Sequence, residues 1–498
     1  MKKVLLAIID GFGLSDKKEG NAIKLANTPN LDYLFKEYGY SELFASGLEV
    51  GLPQGQMGNS EVGHLNIGAG RLVYQPIQMI NEEIKSKNIF NNKEFIKVME
   101  HVKKNNSKLH IMGLLSDGGI HSHINHFFPL IEMAKMNNIS KVYIHPFLDG
   151  RDTKPDVCMN YLKALKDKID ELEVGKIASL SGRYYSMDRE GMWNLTELVY
   201  NNIVNGLGSK TDKIGDYIKS CYDKKIYDEF IPPVLLDSDG LISDNDGIIL
   251  INIRADRTNQ LFSAITNCKF DKFQTKKLYN LCTVTMMEAN KEIIATNAYS
   301  LPDMKNTLGE YLAKKGLKVL RIAEASKFAH VTYFFDGGND VIYRRTNKVS
   351  IARQEVPTYD LCPEMSSVQL TDRLIKEIPK YDFILVNYAN LDMVGHSGYL
   401  DKTIKAVEVV DSCIGRVYKK LQEEDGILII IGDHGNAEYM LDESGNPVKT
   451  HTTNKVPFMV SDKKYLTFNG KLGDVAPTIL KIMDLEIPKE MTGNILIN

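Results

Sequence analysis

The sequence predicts an α/β fold with two α/β domains, one of them discontinuous. Short apolar runs alternate with amphipathic segments of helical period, a pattern typical of parallel strands that are buried on both faces. The clearest runs are Val4–Ile9, Leu109–Leu115, Val142–Phe147, Ile248–Ile253, Phe383–Val386 and Ile427–Ile431. Polar residues follow every run, which predicts ligand binding at the carboxyl ends of the strands.

Composition excludes several classes of protein. The chain has 498 residues, and its 61 basic and 64 acidic residues leave a net charge of −3, which argues against binding to nucleic acid or a membrane surface. No apolar run approaches the ~18 residues of a membrane span. The six cysteines are scattered without a Cys-x-x-Cys pair, so we expect a cytoplasmic protein with free thiols. The low net charge is compatible with a monomer.

The first run predicts a buried strand rather than a secretion signal. Its apolar stretch, Val4–Ile9, stops at Asp10-Gly11 and has no small-residue cleavage site after it. Asp-Gly after one strand is most often a turn. Six strand ends that carry carboxylate, imidazole or guanidinium groups are hard to explain by turns alone. They predict that the carboxyl ends of the strands form a binding or catalytic site.

The strand ends fall into two chemical groups, and this division predicts the domains. Carboxylates and histidines follow the runs near the two ends of the chain, whereas arginines follow the runs in the middle. One site built from both chain ends requires the middle to be an insertion. We therefore predict a discontinuous domain over 1–75 and 308–498, and an inserted domain over 76–307, with linkers at Gly68–Pro76 and Tyr299–Thr307.

Three histidine-containing motifs near the C-terminus are candidate metal ligands. Asp392 and His396 are four residues apart and share one face of a helical turn. Asp433 and His434 follow a very apolar strand, where burying both is costly unless a metal or hydrogen bonds pair them. His451 lies in a polar segment and is uninformative alone, and each motif taken singly is also compatible with an ordinary turn or cap.

Ser60 is a candidate nucleophile. It lies between Gly58 and Gly63, where it could equally cap a helix. Together with Asp10 and the three histidine motifs it forms a mixed oxygen and imidazole set without thiolates, which suits two divalent ions of the Mn²⁺ or Zn²⁺ type. Two such ions would activate the serine and stabilise an in-line phosphoryl displacement.

The middle of the chain supplies groups that bind anions. Guanidinium forks match phosphate and carboxylate, although an exposed arginine face is the plainer interpretation of each pair. His121 and Asp152 follow neighbouring strands and could transfer protons. The candidate arginines are Arg151, Arg183, Arg189, Arg254 and Arg257.

These motifs together resemble the cofactor-independent (2,3-bisphosphoglycerate-independent) phosphoglycerate mutases of the alkaline-phosphatase-like superfamily. The resemblance runs essentially from end to end. It is carried by Asp10–Gly13, Gln56–His64, Ser116–His123, Asp149–Thr153, Gly182–Arg189, Arg254–Arg257, Ala329–Thr332, Pro357–Ser366, Asn387–Gly398, Gly432–Glu438 and His451–Thr452.

The resemblance implies a role for each candidate residue. Ser60 becomes phosphoserine during interconversion of 3-phosphoglycerate and 2-phosphoglycerate, and Asp152 is the general acid/base. Lys327 stabilises charge on the transferred group and contacts substrate. One metal is held by Asp10, Ser60, Asp433 and His434, and the other by Asp392, His396 and His451. Substrate is bound by His121, Arg151, Asp152, Arg183, Arg189, Arg254, Arg257 and Lys327.

The resemblance also implies two Mn²⁺ ions per chain, with Zn²⁺ or Co²⁺ as alternatives, and no 2,3-bisphosphoglycerate. It assigns metal binding and a phosphatase-like fold to the discontinuous domain, and substrate binding for phosphoryl transfer to the insert. Ser326 stands where the family usually has glutamate before the lysine, which puts the role of Lys327 in doubt. A metal phosphatase, another mutase of the superfamily and a non-catalytic scaffold remain alternatives at this point.

Overall fold

The computed structural model describes residues 2–254, 257–289 and 292–498. The chain divides into two compact units, here called unit 1 (Met1–Gln75 with Asp303–Asn498) and unit 2 (Pro76–Pro302). Unit 1 resumes at Asp303, and hydrogen bonds connect this segment to the rest of the unit. Arg71 donates to the Lys305 carbonyl at 3.0 Å, and the Asn306 amide donates to Glu490 at 2.9 Å.

Strands and helices alternate through both units, which confirms the predicted α/β class. The strands are β1 Lys3–Ile9, β2 Ser41–Phe44, β3 Leu109–Leu115, β4 Val142–Leu148, β5 Lys176–Ile177, β6 Ser179–Gly182, β7 Ser209–Lys210, β8 Val234–Leu235, β9 Gly247–Leu250, β10 Cys282–Thr285, β11 Thr296–Asn297, β12 Val319–Glu324, β13 Thr346–Ile351, β14 Phe383–Tyr388, β15 Gly426–Ile431, β16 Val456–Val460 and β17 Gly470–Lys471. The helices are α1 Ala22–Leu25, α2 Pro29–Tyr38, α3 Ser60–Ala69, α4 Pro76–Lys85, α5 Lys93–Asn105, α6 Phe127–Met136, α7 Cys158–Leu172, α8 Arg183–Ser186, α9 Trp193–Tyr200, α10 Ile214–Asp223, α11 Asn259–Thr266, α12 Leu308–Lys314, α13 Ser367–Glu377, α14 Asn390–Gly395, α15 Leu400–Glu423 and α16 Val475–Ile482.

The sheet of unit 1 has the order β13-β12-β14-β1-β15-β16-β2-β17. Its first five strands are parallel, and β16 is antiparallel to both of its neighbours. Alternate residues of β1 enter separate cores, with Val4, Leu6 and Ile8 on one face and Leu5 and Ile9 on the other. This double burial explains why β1 is a continuous apolar run.

A buried ion pair links β12 to the segment that follows it in unit 1. Arg321 and Asp336 are both fully buried, and the two guanidinium nitrogens donate to the carboxylate at 2.5 and 2.8 Å. Gly309 makes room for this pair, because a Cβ there would lie 1.7 Å from Arg321 Nη2. Burial raises the pKa of Asp336 although the arginine opposes the shift.

Loss of this carboxylate should destabilise unit 1 strongly. Asp336→Ala leaves the Arg321 charge buried without its partner, and we expect the free energy of unfolding to fall by ~3–5 kcal/mol. Urea unfolding checks this result. Asp170→Ala, which removes an exposed partner of Lys166, is the control and should change stability little. Equal losses in the two variants would contradict the expectation.

The sheet of unit 2 has the order β11-β10-β9-β3-β4-β6-β8-β7, and β5 also pairs with β4. Strands β9, β3, β4 and β6 are parallel neighbours, so their carboxyl ends meet at one edge. Alternate residues again enter two cores, with Leu109 and Ile111 on one face and Met112 and Leu114 on the other.

His126 makes the stability of unit 2 depend on pH. It is fully buried before α6, its Nε2 lies 3.2 Å from Asn81 Oδ1, and burial lowers its pKa from 6.5 to about 3. Below pH 6.5 the unfolded chain binds this proton and the folded chain does not, so stability falls as the pH falls. We expect a loss of ~2 kcal/mol between pH 7 and pH 5 from this residue.

Urea unfolding of wild type and His126→Phe at both pH values measures this contribution. The phenylalanine variant should lose less stability on acidification by about that amount. An identical acid-induced loss in the two proteins would show that His126 does not carry the effect.

The strand β9 ends earlier than predicted. The sequence predicts a strand over Ile248–Ile253, but β9 ends at Leu250. The chain leaves the ladder because the Ile253 amide donates to the His121 carbonyl at 2.7 Å. In the described ranges, no helix has both the length and the apolar character to cross a lipid bilayer.

Candidate active site

The carboxyl ends of four neighbouring parallel strands form the candidate active site of unit 1. Asp10 follows β1 directly, Asp433 and His434 follow β15, and Asp392 lies in α14 after β14. Lys327 ends the short turn after β12. Because these strands are adjacent in the sheet, residues more than 400 positions apart in the chain meet at one edge.

Helix α3 brings Ser60 to the same edge. Ser60 is the first residue of the helix, and the Asn59 side chain caps it by accepting from the Val62 amide at 2.9 Å. The preceding loop is tightly packed, because a Cβ at Gly58 would lie 2.0 Å from the Ala45 carbonyl oxygen. The cap is therefore Asn59, and the hydroxyl of Ser60 is left to face the site.

The Ser60 hydroxyl is held by three charged or polar neighbours. Its Oγ lies 3.0 Å from Asp10 Oδ1, 3.0 Å from His434 Nε2 and 2.6 Å from Lys327 Nζ. The same ammonium group donates to Asp10 at 2.8 Å and to Asp392 at 2.7 Å. Ser326, which departs from the family pattern, donates to Glu324 at 3.2 Å and leaves Lys327 directed at Ser60.

Two groups of candidate ligand atoms lie at this edge. Asp10, Asp433 and His434 form one group and are all fully buried. Asp392, His396 and His451 form the other, and each group has one ligand atom per residue within 4.8 Å of the others. Every residue that we predicted as a metal ligand therefore lies in one of the two groups or, for Ser60, beside the first.

The second group carries the clearest signature of a cation. His396 Nδ1 lies 2.8 Å from the Lys449 carbonyl, and His451 Nδ1 lies 2.8 Å from the Gly58 carbonyl. Each Nδ1 must donate, so each neutral ring directs its Nε2 lone pair into the site. These two Nε2 atoms lie 3.0 Å apart and 3.2 and 3.1 Å from Asp392 Oδ1. With neutral rings these three electron-rich atoms repel one another, and either a metal cation or a proton between them relieves the repulsion, in agreement with the raised pKa of His396 beside Asp392.

The electrostatics of the site also favour a bound cation. Burial opposes ionisation of Asp10 and Asp392, yet Lys327 and the neighbouring histidines hold the pKa of both carboxyl groups below the ordinary range. Burial disfavours the charged form of His434 as well, but Asp433, Asp10 and Asp392 raise its pKa to about 10. The three buried carboxylates thus create a negative potential that stabilises positive charge at this edge.

Unit 2 places a second cluster at the carboxyl edge of its own sheet. Asp149, Arg151 and Asp152 follow β4, Arg183 begins α8 after β6, and His121 follows β3. Buried Arg183 donates through Nη1 to Asp149 at 2.8 Å and to Asp152 at 2.7 Å. His121 Nε2 lies 4.0 Å from the same Asp152 oxygen. The structure therefore joins three of the predicted substrate residues.

The remaining arginines have other neighbours. Arg151 pairs with Glu229 at 2.5 Å, and Arg189 Nε lies 3.3 Å from Glu190. Arg254 is exposed after β9, and Arg257 is half-buried. Ala255 and Asp256, which belong to the same predicted motif, lie outside the described residues.

Sequence reasoning missed several residues that support the predicted ones. Asn387 donates to Asp10 Oδ2 at 2.8 Å, and Asn436 donates to Asp392 at 3.4 Å. Asp149 accepts from Arg183 and from the Asp152 amide. A polar residue inside the apolar run Phe383–Tyr388 was a usable signal for Asn387. The role of Asp149 was hidden by its place in an Asp-Gly turn.

Comparisons with known proteins agree with this geometry. A family model described as the metalloenzyme superfamily matches residues 2–487. A protein named 2,3-bisphosphoglycerate-independent phosphoglycerate mutase from Clostridium perfringens (strain SM101) is 48% identical, over 100% of this chain and 99% of the relative. The chain belongs to the 2,3-bisphosphoglycerate-independent phosphoglycerate mutase family. A protein of the same name from Onion yellows phytoplasma is also 48% identical, with the same two coverages.

A solved structure extends the comparison to the fold of the family. Phosphoglycerate mutase from Leishmania mexicana, crystallised at low cobalt concentration, superposes with a TM-score of 0.64 and 27% identity. The match covers 100% of this chain and 98% of that one. The family resemblance inferred from the motifs is thereby confirmed. Membership in a metalloenzyme superfamily agrees with the two donor groups, so the chain uses divalent metal.

The donor set fits such ions. Three carboxylates, three imidazoles and one hydroxyl suit divalent ions that accept both nitrogen and oxygen, whereas Mg²⁺ favours oxygen alone. Asp433 Oδ2 is buried and makes no hydrogen bond within the described part of the chain, which leaves it available as a ligand.

Proposed function

We propose that this chain interconverts 3-phosphoglycerate and 2-phosphoglycerate without 2,3-bisphosphoglycerate, through a phosphoserine on Ser60. Family membership over the full length of the chain supports the reaction. The observation that carries the proposed route is the environment of Ser60, whose Oγ lies within 3.0 Å of Asp10, His434 and Lys327.

The proposed metal ligands are those of the two donor groups. Asp10, Ser60, Asp433 and His434 hold one ion, and Asp392, His396 and His451 hold the other. We propose two Mn²⁺ ions per chain, with Zn²⁺ or Co²⁺ as alternatives. Bound ions lower the pKa of a coordinated hydroxyl and neutralise charge on a transferred phosphoryl group.

The residues of unit 1 then prepare Ser60 for attack. Ser60 gives up its proton to solvent before it attacks. Its deprotonated oxygen then forms a bond to phosphorus while the bond between phosphorus and the glycerate oxygen breaks, and it leaves in the same deprotonated form when the phosphoryl group is returned. Lys327 donates to Ser60 and to two carboxylates at once, so its charge is fixed beside the oxygen that attacks and later leaves. Phosphoserine at the first residue of α3 also lies at the positive end of the helix dipole.

We assign substrate binding and proton transfer to the cluster of unit 2. Asp152 donates a proton to the glycerate oxygen that leaves phosphorus, and it then accepts a proton from the other hydroxyl, which attacks the phosphoserine. Arg183 fixes Asp152 through the 2.7 Å hydrogen bond. The groups proposed to bind the two anionic parts of phosphoglycerate are His121, Arg151, Asp152, Arg183, Arg189, Arg254, Arg257 and Lys327. In this proposal unit 1 is the metal-binding domain and unit 2 the substrate-binding domain.

We also propose that the protein is monomeric and cytoplasmic. Its six cysteines are all free thiols, the state that reducing compartments maintain. Size-exclusion chromatography with light scattering tests the monomer directly.

Product analysis tests the proposed function. Metal-stripped protein is given 3-phosphoglycerate, and Mn²⁺ is then added without 2,3-bisphosphoglycerate. We expect 2-phosphoglycerate to form only after the metal is added. Steady release of inorganic phosphate without 2-phosphoglycerate would instead identify a phosphatase.

A further inference from the structure

His64 is a buried histidine beside the site that the proposed reaction does not use. It lies one helical turn after Ser60 on α3 and is fully buried. Its Nδ1 lies 2.8 Å from the Ser60 carbonyl oxygen and 3.3 Å from Asp433 Oδ2. Both neighbours are acceptors, so this environment assigns the ring proton to Nδ1.

Asn387 connects the other side of the His64 ring to Asp10. Its Nδ2 lies 3.1 Å from His64 Nε2, the unprotonated nitrogen, and 2.8 Å from Asp10 Oδ2. The amide is assigned with nitrogen towards these two atoms because its oxygen would face two acceptors. Asn387 therefore donates one hydrogen to the ring and the other to Asp10.

We propose that His64 and Asn387 form a bridge that positions Asp10, Asp433 and the first turn of α3 for metal binding. Both are positioning residues, and neither is a ligand or a catalytic group. The inference rests on the proposed function only for the assignment of Asp10, Asp433 and Ser60 to one metal.

The bridge fixes the rotation of the Asp10 carboxylate and lies against the Asp433 carboxylate. Asp10 Oδ1 faces Ser60, Lys327 and His434, whereas its Oδ2 is held from behind by Asn387. Asp433 Oδ1 accepts from the backbone amides of Gly11 and His434, which leaves Oδ2 beside the His64 ring. Without the bridge, Asp10 could turn its ligand oxygen out of place, and Asp433 Oδ2 would lose the ring that packs beside it.

Close packing of α3 makes this connection possible. A Cβ at Gly63 would lie 2.7 Å from the Asp433 carbonyl oxygen and 2.9 Å from Asp433 Cβ. Glycine at this position therefore lets the helix approach the loop of Asp433 closely. His64, the next residue, can then reach both the carboxylate and the Ser60 carbonyl.

A purely structural role for His64 predicts a different result from a positioning role. If the ring only fills the core, its loss lowers the stability of the metal-free protein and leaves metal affinity nearly unchanged. If it positions ligands, metal affinity falls even when the metal-free protein stays folded. Residues that orient metal ligands typically change affinity by ~10–100-fold.

The test is calorimetric titration of metal-stripped protein with MnCl₂, together with thermal unfolding of the same metal-free samples. His64→Phe keeps the ring volume and removes the donor, and Asn387→Leu removes the amide at nearly constant shape. His64→Asn keeps a donor near the position of Nδ1. His126→Phe is the matched control, since it replaces a buried histidine of unit 2 that bonds Asn81.

We expect His64→Phe and Asn387→Leu each to weaken Mn²⁺ binding by ~10-fold or more. His64→Asn should recover most of the loss, and His126→Phe should bind as wild type does. The double variant should lose less than the product of the two single effects, because both act through one bridge. If Asn387→Leu fails to fold, His64→Phe and His64→Asn still decide the question.

Binding within about twofold of wild type in both single variants would overturn the proposal, as would a loss that His64→Asn does not recover. The titration contains no substrate. Its outcome is therefore separate from whether phosphoglycerate is the substrate of the enzyme.

Discussion

Replacing Ser60 by alanine should lower the rate of 2-phosphoglycerate formation by at least ~10⁴-fold, since loss of a covalent nucleophile costs this much or more. In the proposed route Ser60 is the group that receives the phosphoryl group, because Lys327, Asp10 and His434 all contact its Oγ. Initial rates with 3-phosphoglycerate and saturating Mn²⁺ measure the effect.

Ser41→Ala is the matched control for this variant. Ser41 is also buried in unit 1, on β2, and its hydroxyl makes no hydrogen bond to the described residues. We expect its activity to equal that of wild type. Retention of more than about one hundredth of the wild-type rate by Ser60→Ala would show that another group receives the phosphoryl group.

Replacing Arg183 by lysine should lower kcat/KM by ~10²–10³-fold, because the ammonium group keeps the charge but cannot make the buried hydrogen bonds and the substrate contacts of the guanidinium group at the same time. In the wild-type protein Arg183 Nη1 donates to both Asp149 and Asp152, and we propose that the other guanidinium nitrogens bind substrate. An ammonium group lacks this planar fork, so the change is not conservative at this position.

Arg373→Lys is the control, because Arg373 is half exposed and pairs with Glu377 on the same helix. It should leave kcat/KM unchanged. Wild-type kcat/KM in Arg183→Lys, with an intact fold by circular dichroism, would remove Arg183 from the substrate site and leave it as a core ion pair.

Much of the site was predictable because α/β folds place ligands at strand ends. Asp10, Asp392 and Asp433 each follow an apolar run, and apolar runs that alternate with helical segments predict parallel strands with ligands at their carboxyl ends. The chemistry of the donor set then indicated divalent metal. These inferences need residue types and short-range spacing only.

Other contacts could not be predicted, because they depend on how distant segments pack. Lys327 reaches Ser60 across 267 positions of the chain, and nothing near either residue indicates the contact. Arg151 was predicted from its motif, but its pairing with Glu229 depends on a distant loop. His64 looks like an ordinary core residue until the sheet and α3 are assembled, and the polar Asn387 inside an apolar run does not reveal which residues it contacts.

The fate of the glycerate during the reaction tests the account most directly. The measurement is a crossover experiment with two samples of 3-phosphoglycerate, one with heavy carbon in the glycerate and the other with heavy non-bridging phosphate oxygens. They are mixed, converted by the Mn²⁺-loaded enzyme without 2,3-bisphosphoglycerate, and analysed by mass spectrometry. If phosphoserine returns its phosphoryl group to the glycerate that remained bound, the 2-phosphoglycerate carries only the two original combinations of label. Product with exchanged labels, or no 2-phosphoglycerate at all, would contradict the account.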